Sequence, residues 1–96
     1  MNINMNINMD DIRLEYYENG HMRSRTPYVN GERHGIYECF YENGIIMIRI
    51  PYVGGRIHGI VEEYYKNGNI HRRTLYQNGE MGERWEDYDE NGNMTM

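Results

Sequence analysis

Short stretches in which apolar and polar side chains tend to alternate follow one another along most of the chain. Alternation with a period of two predicts β-strands whose two faces differ in polarity. Asn-Gly pairs, and one Gly-Gly pair, separate the stretches at alternating intervals of 11 and 13 residues, and such pairs favour type I′ hairpin turns. We therefore predict about eight antiparallel strands, at residues 12–17, 21–28, 35–41, 45–52, 59–65, 69–76, 83–88 and 93–96.

Two motifs recur along the chain at a constant step of 24 residues. Copies of the first, Tyr-Tyr-x-Asn-Gly in its commonest form, begin at residues 16, 40, 64 and 88. Copies of the second, a Tyr followed three residues later by Gly, begin at residues 28, 52 and 76. A fixed period of this length indicates an array of stacked supersecondary units. The predicted fold class is therefore an all-β antiparallel meander of hairpins.

The repeat divides the chain into a tail and an array. We place the array at residues 12–96, with repeats near 12–35, 36–59 and 60–83 and a partial repeat at 84–96. The preceding residues, 1–11, repeat Met-Asn-Ile-Asn instead, and we interpret them as a low-complexity N-terminal tail rich in Asn, Met and Ile.

The turn residues also predict the strand register. If Asn43-Gly44 is a two-residue loop, opposed residue numbers sum to 87. On one face this pairs Tyr41 with Ile46, Cys39 with Ile48, and Tyr37 with Ile50. On the other face it pairs Phe40 with Met47, and Glu38 with Arg49. Apolar residues meet apolar ones and opposite charges meet, which supports this register.

The repeated residues resemble a known family. Tyr-Tyr-x-Asn-Gly followed by Tyr-x-x-Gly-x-x-His-Gly at a 24-residue step is similar to the MORN repeat, and most closely to its variant form. Three departures occur, namely Gly54 for Asn, Asp89 for the second Tyr, and Gly82-Glu83 for His-Gly. The resemblance implies an elongated, twisted, single-layer sheet. It also implies scaffolding, dimerisation or anionic-lipid contact, and the variant form resembles antitoxin or immunity proteins of bacteria and is frequent in large DNA viruses.

Composition and charge exclude several other classes of protein. The 96 residues include no Ala, which argues against a helical bundle, and no apolar run is long enough to span a bilayer. A net charge of −5 argues against a nucleic-acid partner. The single Cys39 suits a reducing compartment. We therefore expect a cytoplasmic protein, located in the host cytoplasm if it is viral.

The residues that could carry chemistry all have structural interpretations. His34 and His58 lie two strands apart, or about 10 Å, which is too far for one zinc ion, so we expect each imidazole to bond to backbone or to stack on Tyr. Glu38, Glu62 and Glu86 form a column with a similar spacing. Two of them face an Arg, which favours a ladder of ion pairs over general acid–base catalysis. We predict no enzymatic activity, no catalytic or metal-binding residues, and no cofactor.

One face of the central hairpin is richer in Tyr and Ile than the matching columns of the other repeats. A single-layer sheet cannot bury such a stripe against itself, so either it binds another molecule or sheet curl, the tail and neighbouring Tyr rings shelter it. We predict that it binds a protein partner or a second copy of the chain. The predicted binding residues are Tyr37, Tyr41, Ile46, Ile48, Ile50, Tyr52, Tyr65 and Tyr76.

The leading functional hypothesis is therefore a non-catalytic interaction or scaffold module. Its most specific form is an antitoxin or immunity-type partner protein, as the resemblance implies. Open edge strands at the two ends of the array favour a homodimer. The alternative hypothesis is a peripheral phosphoinositide-binding module that uses Arg72-Arg73, which the negative net charge disfavours.

Overall fold

The computed structural model describes residues 10–95, which form one open antiparallel sheet of nine strands and contain no helix. The strands are β1 (Asp11–Tyr16), β2 (Met22–Val29), β3 (Glu32–Arg33), β4 (Gly35–Phe40), β5 (Ile46–Val53), β6 (Arg56–Ile57), β7 (Gly59–Tyr64), β8 (Ile70–Gln77) and β9 (Glu80–Asp87). Hydrogen-bonded neighbours run in the order β1-β2-β4-β5-β7-β8-β9, with β3 beside β2 and β6 beside β5. The predicted all-β meander is confirmed. Most of the predicted tail, residues 1–9, lies outside the described residues.

The array is one layer thick. Its described residues span 58 × 37 × 12 Å, and the shortest dimension is that of a single sheet with its side chains. Val61, at 6% exposed, is the only buried apolar residue among them. Because a single layer buries little apolar surface, backbone ladders and contacts between adjacent repeats must supply most of the stability.

Two kinds of turn alternate along the sheet, and one kind was not predicted. Both central residues have positive φ, as type I′ turns require, in the pairs Asn30-Gly31, Gly54-Gly55 and Asn78-Gly79. At Asn43-Gly44 only the glycine has positive φ, and the Tyr41 N–H bonds to the Ile45 carbonyl at 2.8 Å. This is a three-residue loop in which a type I turn precedes a left-handed glycine. The predicted two-residue loop at this motif is therefore wrong.

The longer loop shifts the predicted register only beside the turn. Three predicted pairs are confirmed between β4 and β5, namely Tyr37–Ile50, Glu38–Arg49 and Cys39–Ile48. A bulge after Cys39 then places Phe40 opposite Ile46. The predicted pairs Tyr41–Ile46 and Phe40–Met47 do not form, because the third loop residue displaces the ladder by one position.

After each of the first two type I′ turns, a proline and a glycine divide the following strand into a short segment and a longer one. Pro51 has no N–H to offer its neighbour, although its carbonyl accepts the N–H of His58 at 2.9 Å. Gly59 has a φ of +124°, and a β-carbon there would come within 3.0 Å of the Pro51 ring. The ladder is interrupted at this point, which leaves β6 separate from β7. Pro27 and Gly35 repeat the arrangement one repeat earlier.

The last repeat departs from this arrangement, and the predicted strand count changes with it. Leu75 stands at the position of the proline, and β9 runs unbroken over Glu80–Asp87, earlier than the predicted 83–88. The predicted strand at 93–96 is wrong within the described residues, because only a single bridge between Tyr88 and Met94 forms there. With the short strands β3 and β6, the described sheet has nine strands instead of eight.

Candidate interaction face

Five residues of the central hairpin share one side of the sheet, and we call them the Tyr/Ile face: Tyr37, Cys39, Ile48, Ile50 and Tyr52. All five are half-buried. The row that contains Cys39 and Ile48 continues to Ser24 on β2 and to Glu63 on β7. The Tyr/Ile face is therefore an apolar stripe with polar residues at its borders.

The same side of the sheet holds all the well-buried side chains among residues 10–95. The residues that are at most 9% exposed are Ser24, Thr26, Val61 and Thr74. They are small side chains in the same rows as the larger residues of the Tyr/Ile face, which shelter them. On the opposite side Ile60 and Leu75 remain 43% and 46% exposed. The side with the Tyr/Ile face is thus the better packed one, so its side chains lose less conformational freedom on binding.

The structure brings together only part of the predicted binding set. Tyr37, Ile48, Ile50, Tyr52 and Tyr76 lie on one side of the sheet. Tyr41 and Tyr65 lie just beyond β4 and β7, where each begins a three-residue turn, and their hydroxyls bond to the next repeat. Ile46 lies at the bulge opposite Phe40.

The turn tyrosines join adjacent repeats. The Tyr41 hydroxyl donates to the Tyr64 carbonyl at 2.6 Å, and the Tyr65 hydroxyl donates to the Tyr88 carbonyl at 2.7 Å. Tyr17 makes the equivalent bond to Phe40 at 2.6 Å. Sequence reasoning missed this role, although a signal existed. The tyrosine that recurs in the first three copies serves the junction, whereas residues that vary between those copies remain available for recognition.

Asparagine and histidine side chains complete each junction. Asn43 Nδ2 donates to the Lys66 carbonyl at 3.2 Å, and equivalent bonds occur in the repeats on either side. At the other end of the hairpins His58 Nδ1 accepts the N–H of Asn78 at 3.2 Å, and His34 Nδ1 accepts that of Gly54 at 3.1 Å. The expected backbone role of these two imidazoles is confirmed.

The opposite side of the sheet carries a row of alternating charges, which consists of Arg25, Glu38, Arg49, Glu62, Arg73 and Glu86. Arg49 lies 3.4 Å from Glu38 and 3.8 Å from Glu62. Arg73 lies 3.4 Å from Glu62 and 3.6 Å from Glu86. The predicted ladder of ion pairs is confirmed. Because both guanidinium side chains are about 40% exposed, each pair contributes only about 0.2–1 kcal/mol.

The pKa values of Asp87 and Tyr64 are both shifted further from neutral pH. Arg72 donates to both carboxylate oxygens of Asp87, at 2.6 and 3.2 Å, and holds the pKa of this carboxyl below its ordinary 3.8. Burial and a hydrogen bond to Glu62 raise the pKa of the Tyr64 phenol. One group stays ionised and the other stays protonated at neutral pH. Neither is poised to transfer a proton there.

The described residues offer no arrangement for metal chemistry. Among residues 10–95 no group of three or more His, Cys, Asp or Glu side chains could hold a metal ion. The same part of the chain has no helix that is long and apolar enough to cross a membrane. The side chains that converge are the Tyr and Ile residues of the central hairpin, and these supply contact area rather than reactivity.

Comparison with known protein families gives three matches, and each coincides with one hairpin of the sheet. The model of the MORN repeat variant matches residues 12–30, 33–53 and 57–78, which together are more than half of the chain. The chain belongs to the MORN repeat variant family. Each matched segment of this MORN array holds one hairpin with a three-residue turn, and the type I′ turns lie at or beyond its limits. No curated protein and no solved structure matches the chain significantly.

Membership defines the broad class of function. MORN repeats are non-catalytic modules that generally take part in protein or membrane-lipid interactions. Trp85 of this MORN array, which the sequence analysis did not single out, fits such a role. Trp85 lies opposite Thr74, on the same side as the Tyr/Ile face, and its step of 24 from Val61 was the available signal. Tryptophan is among the residues most enriched at interface hot spots.

Proposed function

We propose that this MORN array is a non-catalytic module that binds a protein partner through the Tyr/Ile face of its central repeat. One observation carries the proposal. Four large side chains, those of Tyr37, Ile48, Ile50 and Tyr52, lie together and half-buried on a sheet with no second layer among residues 10–95. A partner would complete the burial that a single layer cannot provide.

The surroundings of the Tyr/Ile face favour a protein surface as the partner. The Arg33 guanidinium donates to the Tyr52 hydroxyl at 3.0 Å and lies 5.8 Å from the Tyr37 ring centre. Glu63 lies at the other border. Aromatic anchors within a charged rim are the usual anatomy of a protein interface.

The narrower form of the proposal is an antitoxin or immunity-type partner protein. Its support is the resemblance of the Tyr-Tyr-x-Asn-Gly repeats to variant MORN proteins of that kind. The net charge of −5 also favours a partner with a basic surface.

Contact with anionic lipid is less well supported. The pair Arg72-Arg73 was its only support in the sequence. Arg72 bonds to Asp87, whereas Arg73 lies between Glu62 and Glu86. Attraction to a membrane surface needs basic clusters whose charge is not already compensated. Neither arginine meets that requirement.

The test compares two substitutions to arginine on opposite sides of the sheet. The wild-type chain, Ile48→Arg and Leu75→Arg are used as baits against the products of neighbouring genes. Leu75 is the control because it is 46% exposed on the side away from the Tyr/Ile face. We expect the partner to bind wild type and Leu75→Arg and to be lost with Ile48→Arg.

Circular dichroism of each bait establishes that it is folded. Retention of the partner by folded Ile48→Arg would show that the Tyr/Ile face is not the binding site. A parallel flotation assay uses vesicles that contain phosphatidylserine and a phosphoinositide at low salt. Flotation of wild type, with loss on Arg72→Gln/Arg73→Gln substitution, would favour the lipid alternative.

A further inference from the structure

β1 is an open strand edge. It is the first strand on the hydrogen-bonded path, it has β2 on one side only within residues 10–95, and all six of its residues are exposed. The N–H and the carbonyl of Tyr17 both bond within the β1–β2 hairpin. Because these groups alternate in direction along a strand, the backbone groups of Tyr16, Leu14 and Ile12 point outward. An edge of this kind is a template for another strand.

At the other end of the sheet, chain residues after β9 cover only the end of that strand. Asp89 stands at the position of a junction tyrosine, and its carboxylate accepts the N–H groups of Asn91 and Asn93 at 2.9 Å each. The Thr95 N–H also bonds to the Asp87 carbonyl at 2.7 Å, which covers the end of β9. The rest of β9 is acidic, with four carboxylates against one arginine. Head-to-tail stacking of two arrays therefore lacks both the donor side chain and a compatible edge.

The charges of β1 and the length of the paired segment together select one symmetric way to pair this strand with itself. In a two-fold antiparallel pair, opposed residues lie on the same face, so the sum of their numbers is even. A sum of 26 would oppose Arg13 to Arg13 and Asp11 to Glu15, which brings like charges together. A sum of 24 opposes Asp11 to Arg13 twice, but it pairs only residues 11–13 of β1. A sum of 28 opposes Arg13 to Glu15 twice, pairs residues 12–16, and places the two copies of Leu14 on the axis.

We propose that β1 pairs antiparallel with β1 of a second copy of this chain, in the register that places Leu14 on the two-fold axis. The outward backbone groups of Ile12, Leu14 and Tyr16 then bond to those of the partner. The three side chains, now 50%, 44% and 54% exposed, form one apolar strip with their copies. On the other face Arg13 and Glu15 are 66% and 61% exposed and lie 3.2 Å from Asp11 and 3.5 Å from Arg23. In the dimer they add two Arg13–Glu15 pairs across the axis to these exposed contacts. The two arrays become one continuous sheet.

The first test is a charge reversal with its rescue, measured on the full chain by analytical ultracentrifugation over a range of concentrations. Wild type is expected to dimerise. Arg13→Glu and Glu15→Arg should each weaken the dimer more than tenfold, because each opposes like charges twice. The double variant restores opposite charges and should dimerise as wild type does. Arg84→Glu on β9 is the matched control and should dimerise normally.

The second test reads the register directly in a Cys39→Ser background. Opposed α-carbons at a hydrogen-bonded pair are about 5.5 Å apart, so Leu14→Cys should react with a short thiol cross-linker to give a covalent dimer. Ile12→Cys is the matched control. Its copies are displaced by four residues, or about 14 Å along the strands, and they should not cross-link.

Three results would overturn the proposal: a wild-type monomer at every concentration, a double variant that stays as weak as the single ones, or equal cross-linking at the two cysteine positions. The folded state of each variant is checked by circular dichroism. The β1 edge is separate from the Tyr/Ile face, so Ile48→Arg should still dimerise. Failure of either proposal therefore leaves the other standing.

Discussion

The hydroxyl of Tyr41 donates a 2.6 Å hydrogen bond to the carbonyl of Tyr64 across a boundary between repeats. The strands on the two sides of that boundary, β5 and β7, share only two ladder pairs. Side-chain bonds at the ends of the hairpins therefore carry an unusually large share of the junction. Similar bonds recur at 2.6 and 2.7 Å in the neighbouring repeats.

Tyr41→Phe measures how much this hydrogen bond contributes to stability. The Tyr64 carbonyl loses its partly buried donor, and we expect the free energy of unfolding to fall by about 1 kcal/mol. Tyr76→Phe is the control, because the Tyr76 hydroxyl makes no hydrogen bond to residues 10–95, and it should change stability by less than about 0.5 kcal/mol. Urea denaturation at low protein concentration measures both. Equal losses would contradict the junction role.

The ion-pair ladder offers a matched pair of arginines. Arg49 contacts two carboxylates, whereas Arg25 of the same row makes no ion pair with the described residues. We expect Arg49→Met to lower stability by about 0.5–1 kcal/mol and Arg25→Met to have almost no effect. High salt screens exposed charges, so the difference should shrink in molar sodium chloride. A difference that does not depend on salt would point to packing of the arginine stem instead.

Gly59 should tolerate no side chain while Pro51 is present. Its φ of +124° and the 3.0 Å approach to the proline ring both penalise a β-carbon, and Gly59→Ala should cost about 1–3 kcal/mol. In a Pro51→Ala background the ring contact is gone and only the backbone strain remains. A double-mutant cycle by thermal or urea unfolding should therefore show coupling. Strict additivity would show that the contact with the ring has no energetic effect.

Acid should weaken the fold at the Arg72–Asp87 pair. The pKa of Asp87 is lowered in the folded chain because Arg72 donates to the carboxylate. The stabilisation is therefore complete above the ordinary carboxyl pKa of 3.8 and is lost as the pH falls through the lower folded value. Urea midpoints between about pH 5 and 2 should fall less steeply for Asp87→Asn than for wild type. Parallel curves would exclude this carboxyl as a contributor.

The order of the hairpins and most of the register could be predicted because they depend on local patterns. Alternation fixed the pairs Tyr37–Ile50 and Cys39–Ile48, and charge complementarity fixed Glu38–Arg49. The turn type could not be predicted in this way, since Asn-Gly occurs in both kinds of turn. What distinguishes the longer loop is the Asn43 side chain, which bonds to the Ile45 N–H and to the Lys66 carbonyl of the next repeat.

The sequence predicted the central residues of the candidate site, such as Tyr37, but wrongly grouped the turn residue Tyr41 with them. Tyr37 and Tyr41 look equivalent in the sequence, because both are tyrosines of the same predicted strand. They differ in their partners, since the hydroxyl of Tyr41 bonds to a carbonyl 23 residues away. Only the three-dimensional stacking of repeats reveals that bond. The recurrence of the turn tyrosine in the first three copies was the nearest substitute that the sequence offered.

The junction bonds share one property that affects how such a chain can evolve. In each of them a side chain of the earlier repeat meets the backbone of the later one, as Tyr41 meets the Tyr64 carbonyl and His58 meets the Asn78 N–H. Every residue except proline presents the same backbone groups, so these bonds, unlike the ion pairs of the ladder, do not depend on the side chains of the receiving repeat. A repeat can therefore exchange its exposed residues for a new specificity while these bonds to the preceding unit stay unchanged.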